Sequence, residues 1–425
     1  MSQTSIPAGS PLARKVYSAA LFAKTLAFSG LVKVLTGEAP KQSDAEAKLK
    51  GQTVPDMPIV RVTDLSKSAG DSISVDAFDT INGKPIMGDR NAEGRGEALS
   101  SSSMDIKIDN TTKSVDAGGK MSSQRTLHNL RGIAMSQLVG YFGRLDNQKA
   151  IVHLAGSRGT QTGKDWIVPA TSDIDFNDIM VNSVKAPTYN RHLVVNGTSF
   201  ATGGEQLASI ASTDQWTLAL VDELAVLLSD HNFGLQAVRL NDDPAADDDP
   251  IKGVLYLTER QWAQINADSN YRTALQNEWA RKSYGTKHPL FSGEPIMKNG
   301  ILIRKQPKFV VRHAAGDTTK IVTAANRYSA TETDGAVNAG LTAGYAVDRA
   351  ILMGAQALGY VFGRNQGSDT GFNWLENKYN FERNLEVAGE SMGGMGKIRF
   401  TFDDGAGNKE PTDQGVFAID SAVKL

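Results

Sequence analysis

The chain has 425 residues and no cysteine. At about 100 to 200 residues per domain it holds two or three structural units, with no disulfide framework, thiolate nucleophile, zinc finger or iron-sulfur ligation. Its 45 Lys and Arg against 47 Asp and Glu give a formal charge of -2, which argues against a dedicated nucleic-acid binder and against global attraction to an anionic membrane. The 41 glycines exceed the usual ~7% share and point to a loop-rich globular protein with many special backbone positions.

Leu12 to Leu35 is the only stretch that resembles a targeting segment, and Lys24 and Lys33 interrupt it. A secretory core needs about 7 to 15 uninterrupted apolar residues and a membrane span about 20, so neither pattern is met. The stretch reads instead as an amphipathic helix, capped by Ser10, opened by Pro11, striped by Leu12, Val16 and Ala20, and stopped near Gly37. Standing before the polar tract Glu38 to Gln52, it has little of its own chain to pack on, which suits docking on a neighbouring molecule.

From Pro58 to about Ser114 the pattern has period two: Ile59 to Val62, Ser72 to Val75 and Met104 to Asp109. The turn formers Asn82 to Pro85, Gly88 to Arg90 and Glu93 to Gly96 lie between, giving an extended hairpin. Its interleaved charges offer no fat apolar face, so it is expected to lie across another surface. Ser122 to Arg144 is helical, with Leu127, Leu130, Ala134, Leu138 and Tyr141 on one stripe and Gly143 as its end.

Ala150 to Leu154 then reads as a buried strand, followed by a loop through Pro169. Ser212 with Gln215 forms a capping box for a helix burying Leu220, Leu224, Leu227 and Leu228, which His231 to Gly234 ends. Gly253 to Leu257 is a strand, and Thr258 with Gln261 caps the next helix. Ile301 to Ile303 and Phe309 to Val311 are strands, and Leu341 to Phe362 reads as a Gly- and Ala-rich helix. Lys397 to Phe402, a turn at Asp403 to Gly407 and Val416 to Asp420 read as a closing hairpin. The echo of Gly140 to Arg144 in Gly359 to Arg364 is taken as two similar helix ends, not a repeat. The class is α+β.

The candidate chemical sites are weak. Gly159 to Asp165 imitates a phosphate loop, but Arg158 stands where glycine is needed and Asp165 where Ser or Thr is needed. Asp173, Asp175 and Asn177 begin like a calcium loop, yet Asp178 replaces the required glycine and Val184 the bidentate carboxylate, so a turn or helix start is the better reading. Asp242, Asp243, Asp247, Asp248 and Asp249 form the densest charge run, by default a solvated loop, with a divalent ion or repulsion between assemblies as alternatives. His128, His153, His192, His231, His288 and His313 show no metal-ligand spacing, and no G-x-S-x-G elbow occurs. No catalytic, cofactor or metal residue is assigned, and an enzyme is disfavoured.

One order of motifs is more specific. Asn82-Gly83-Lys84-Pro85-Ile86-Met87-Gly88-Asp89, Glu93-Gly94, Glu97, Ile108-Asp109, Val115, Gly118-Gly119 and Met121 to Arg125 come first. Leu154 to Gly159, Leu257 through Gln261-Trp262, Asn277 to Arg281 and Pro289 to Gly293 follow, then Asn377 to Tyr379, Val387 to Gly389, Gly396-Lys397 and Asp413 to Val416. In this order the chain resembles tailed-bacteriophage major capsid proteins, in particular the group related to the coliphage N-four major capsid protein. The resemblance covers nearly the whole chain, while the acidic run and the Glu38 to Gln52 tract carry no family pattern.

The resemblance implies a Hong Kong-type capsid fold, with an N-terminal arm (1–54), an extended loop (55–121), a peripheral domain with a spine helix (122–175), an axial domain (176–365) and a return to the peripheral domain (366–425). It implies no cofactor, and as partners many copies of the same chain in hexamers and pentamers, scaffolding, portal and decoration proteins, weakly touched double-stranded DNA, and no membrane. The place of action would be the virion, with host cytoplasm during assembly. Gly83, Gly88, Gly94, Gly118 and Gly119 would let the loop bend. The competing readings are a tail-tube or decoration subunit, and a metal-dependent hydrolase using Asp173, Asp175 and the Asp247 cluster.

Overall fold

The computed structural model describes residues 30–36, 56–62, 70–78, 84–87, 93, 101–119, 130–163, 165–230, 234–239, 251–268, 296–306, 308–363, 372–403 and 407–425. One long helix, Leu130–Ala155, lies between two sheets. The five-stranded sheet runs Ile59–Val62, Leu358–Phe362, Asn384–Lys397, Phe372–Tyr379, and Asp109–Gly119 also pairs with Asn384–Lys397. The eight-stranded sheet runs Ser199–Thr202, His192–Asn196, Val416–Lys424, Tyr345–Met353, Gly253–Leu257, Ile301–Lys305, Ile296–Lys298, with Arg312–His313 beside Tyr345–Met353.

Both faces of the eight-stranded sheet are covered. Ala350 and Leu352 face the helices Leu218–Asp230 and Glu259–Ala267, while Ile351 and Met353 face Ile151 and Leu154 of the long helix. On its other side that helix meets Leu358, Tyr360, Phe362 and Phe372 of the five-stranded sheet. One buried cluster thus spans both sheets through this helix, which makes it the mechanical link between them.

Several expected elements are found. Thr258 and Gln261 form the capping box, with both reciprocal bonds present. Ile59–Val62, Ser72–Phe78, Gly253–Leu257 and Ile301–Lys305 are strands, and Leu220, Leu224 and Leu228 are buried on one helical face.

Others need correction. Ala150 to Leu154 is not a strand but the last turns of the long helix, which runs straight through Gly143 and stops at Gly156, whose φ is 65°. Leu341 to Phe362 is not a helix but two strands, Tyr345–Met353 and Leu358–Phe362. The helix end and the two strands are buried on both faces, and an apolar run without alternation does not distinguish helix from strand. The echoing glycine phrases therefore lie in a helix interior and a strand, not at two helix ends.

Phe309 to Val311 is not a strand: Phe309 and Val311 are buried, the Val311 carbonyl accepts from the Arg349 N–H, and the ladder begins at Arg312. Ser212 caps no helix: its hydroxyl accepts from the Thr342 N–H, and the helix starts at Leu218. The closing hairpin pairs Arg399–Asp403 with Lys409–Asp413, whereas Val416–Lys424 inserts between Tyr345–Met353 and His192–Asn196.

Of the N-terminal helix, Gly30–Leu35 is described, and Leu31, Val32 and Leu35 are buried against the chain's own long helix. That turn has its own chain to pack on, contrary to the sequence expectation; Ser10, Pro11, Leu12, Val16 and Ala20 lie outside the described residues. So do Gly83, Gly88 and Gly94, the residues 122–129 expected to begin the long helix, and the motifs Asn277 to Arg281 and Pro289 to Gly293.

Candidate functional site

The C-terminal half of the long helix is buried all round, although it carries Asp146, Asn147, Gln148, Lys149 and His153. Their partners explain how this is tolerated. The Gln148 side chain accepts from the Ile167 and Val168 N–H groups and donates to the Asp165 carbonyl. Asn147 Oδ1 accepts from the Leu31 N–H, and the Tyr360 hydroxyl donates to Asp146 at 3.1 Å. Burial pushes the Asp146 carboxyl up to about 6, against Lys149, Tyr360 and Arg61, which work to lower it.

Where this helix ends, a buried ionic junction begins. Arg349 Nη1 donates to the Ala155 carbonyl at 2.8 Å, the position where a cation best meets the helix dipole. The same guanidinium forks onto Asp420 at 2.8 and 2.7 Å, across a directly opposed strand pair. His192 Nε2 lies 2.6 Å from Asp420, and all three side chains have no exposed surface. Burial works to raise the Asp420 pKa, but Arg349 and His192 outweigh it and hold the carboxyl far below its usual range. Burial and Arg349 keep His192 down.

Two similar centres flank it. Asp348 accepts from Arg312 and from the Thr258 hydroxyl. Asp413 accepts from Lys397 at 2.8 Å, Arg399 at 2.7 Å and the Thr188 N–H at 3.1 Å. Burial lowers Lys397 to about 8, while Arg399 and Lys397 overcome the same burial to keep Asp413 low. Arg327 donates a two-bond fork to Glu410, which lies on the strand that ends in Asp413. These groups clamp: each carboxylate accepts from two or more fixed donors.

The hairpin Ser72–Phe78 with Ser101–Lys107 is the second feature. Its exposed residues alternate with Ile73, Val75 and Met104, which pack with fully buried Ile106 on Val60, Val62 and Val361 of the same chain. The expectation of a hairpin with no seat of its own is thus corrected for its described part. The seat requires glycine: a Cβ on Gly359 would run into Ile106, on Gly363 into Ile108, and on Gly394 into the Lys107 carbonyl. Gly118 takes φ 80° near the end of the following strand.

The hairpin Phe372–Tyr379 with Asn384–Lys397 ends in Phe381, which is 97% exposed. Asn380, Phe381 and Glu382 all have φ between 54° and 61°, an unfavourable region for non-glycine residues. Ile86, Met87, Ile133 and Ile174 are further exposed large apolar side chains.

The sequence-level site residues do not converge. Arg158 turns inward over Trp166 and donates to the Val168 and Gln161 carbonyls, so the loop it opens is a packing device; Lys164 lies outside the described residues. Asp173 Oδ1 accepts from the Asp175 N–H in a local turn, and both are exposed. Among the described residues no three His, Asp or Glu side chains gather as a metal site. The run Asp242, Asp243, Asp247, Asp248 and Asp249 lies outside them, as do His128, His231 and His288. Sequence reasoning missed Arg349, Asp348, Asp413 and Asp420. The available signal was a charge standing alone in an apolar run, as Asp348-Arg349 does in Ala346 to Met353 and Asp420 in Val416 to Val423.

This mixed α+β fold is that of phage capsid structures. The capsid of Ralstonia phage GP4 superposes with a TM-score of 0.68 at 23% identity, covering 100% of this chain and 99% of that one. The Cyanophage Pam1 capsid gives 0.59 at 19% identity, over 87% and 89%. The major capsid protein of Pseudomonas phage KPP25 is 23% identical over 347 residues, 79% of this chain and 80% of that protein. The family model described as phage capsid protein matches residues 5–425. The chain belongs to the phage capsid protein family, and it is a major capsid protein of a bacteriophage.

Proposed function

We propose that many copies of this chain tile a closed icosahedral shell around the double-stranded DNA of a tailed phage, as hexamers and pentamers joined by heterologous contacts. The observation that carries this reading is a rigid two-sheet body, bridged by one helix and locked by buried ion pairs, from which hairpins extend. A body of this kind keeps its shape while its projections meet neighbours, and multivalency makes individually weak contacts strong together. The residues 1–54 serve as the arm, 55–121 as the extended loop, 122–175 and 366–425 as the peripheral domain, and 176–365 as the axial domain. Within that scheme Val416–Lys424 reaches across into the sheet of the axial domain.

Kinship with the coliphage N-four group, assembly in host cytoplasm, and partnership with scaffolding, portal and decoration proteins belong to the same reading. The formal charge of -2 suits a container that must release its DNA, since each phosphate contact adds salt-dependent affinity. The role is mechanical, with no catalytic step, cofactor or metal assigned. Expression with and without a scaffolding protein, followed by electron microscopy, tests it: closed shells are expected, and tubes or isolated trimers would overturn it.

A further inference from the structure

We infer that Asn182 is a latch that holds the root of the Ser72–Lys107 hairpin in one orientation on its own subunit. The structural part stands alone, whereas its consequence, that the latch sets the direction in which the hairpin meets neighbours, rests on the shell-building reading above.

The chain changes partners at this root. Ser101–Lys107 pairs with Ser72–Phe78, whereas Asp109–Gly119 pairs with Asn384–Lys397 in the five-stranded sheet. At the end of the first ladder, opposite Ser72, Lys107 lies over Gly394 without being a ladder partner of that strand. The Asn182 side chain fills the gap. Its Oδ1 accepts from the Lys107 N–H at 2.9 Å, and its Nδ2 donates to the Lys107 carbonyl and the Met395 carbonyl, both at 3.0 Å. A primary amide has the donors and acceptor of a peptide group, so it can stand in for a missing strand.

The backbone before Asn182 is bent in an unusual way. Val181 follows the short helix Phe176–Met180 with φ 66° and ψ -56°, and the Asn182 N–H donates to the Met180 carbonyl at 2.8 Å. This is a γ-turn of the rare, strained hand, centred on a β-branched residue, the poorest type for positive φ. Phe176 and Met180 are buried anchors that hold the turn in place. Strain of this kind persists where surrounding structure over-determines it, and here its effect is to aim one amide at the hairpin root.

The seat beneath is shaped for a single strand position. Gly359, Gly363 and Gly394 leave room for Ile106, Ile108 and the Lys107 carbonyl. A root held by side-chain bonds over a glycine bed can be released as a unit without unzipping the Asp109–Gly119 ladder. Asn182 is a positioning residue in this account.

The test compares the full-length wild type with Asn182→Ala and with Asn182→Asp, which preserves size but loses both donated bonds. Amide hydrogen exchange is read at Lys107 against the long helix, and particle diameters are read by electron microscopy. In Asn182→Ala the Lys107 amide is expected to exchange about tenfold faster or more, as for the loss of one or two net hydrogen bonds, with helix protection unchanged; Asn182→Asp keeps the acceptor for the Lys107 N–H, so its increase is smaller. Their particles are expected to vary in diameter where wild-type particles are uniform. An unchanged Lys107 exchange rate would overturn the latch itself, and faster exchange with uniform particles would overturn its role in assembly. Wild-type protein that forms no shells would instead count against the shell-building reading, while the exchange comparison would still decide the latch.

Discussion

The ionic junction at the end of the long helix and the seat of the Ser72–Lys107 hairpin solve opposite problems. At the junction, Arg349, Asp420 and His192 are wholly buried and every charged bond crosses between strands or to the Ala155 carbonyl. Taking these charges out of water is costly, so geometry must be near ideal, and removing one partner leaves the other stranded. At the seat, contact comes from one fully buried isoleucine, bare glycines and side-chain bonds near the surface. This subunit is built to be invariant at the junction and adjustable at the seat.

The strongest way to break that contrast is Arg349→Met. It leaves Asp420 buried with only His192, and the expected loss is about 3 to 5 kcal/mol, read as a lower urea midpoint. Adding Asp420→Leu is expected to restore much of the loss, because an apolar pair carries no stranded charge.

Acid tests the same buried region. Burial pushes His153 and His313 down to about 4 in the folded chain, so the unfolded chain takes their protons first and stability is lost as pH falls from about 6.5 through 4. Asp146, raised to about 6 by burial, works the other way, because the folded chain binds its proton first. His192 is held down as well, so three histidines act against one carboxyl, and the net loss is on the order of 3 kcal/mol or more, visible as a falling melting temperature between pH 7 and 4. His153→Gln together with His313→Gln is expected to flatten that slope.

Gly394→Ala probes the other region. A methyl group there meets the Lys107 carbonyl, so the hairpin root must lift at a cost of about 1 to 3 kcal/mol. Faster amide exchange confined to residues 101–108, with the long helix unaffected, is the expected result.

The smallest effect belongs to Phe381→Ser. With its side chain 97% exposed, the melting temperature of the free subunit is expected to stay within about 0.5 kcal/mol equivalent of the wild type. A larger drop would mean that the hairpin tip is part of the folded body.

Legibility in the sequence followed local physics. The Thr258 and Gln261 box is readable because both bonds are made within four residues. The strands Ile59–Val62 and Ser72–Phe78 are readable because the latter alternates and the former is short and β-branched. The long helix was read only as far as Gly143, because beyond it polar residues sit on buried faces and the stripe vanishes. Ser212 misled because its hydroxyl serves Thr342, 130 residues away. None of the junction could be assembled from spacing, since Arg349 lies 71 residues from Asp420 and 157 from His192.

By itself, the sequence determined that this protein has no disulfides, carries almost no net charge, combines helices with strands, and has a hairpin rooted in glycine-rich text. Its motif order also pointed to the capsid family. Only the tertiary structure decided that Ala150 to Leu154 continues a helix, that the Leu341 to Phe362 run splits between two sheets, and that the last strand pairs far from its chain neighbours. The physical reason is burial on every side: where no face meets water, the pattern of apolar residues loses its period, and long-range pairing chooses the structure.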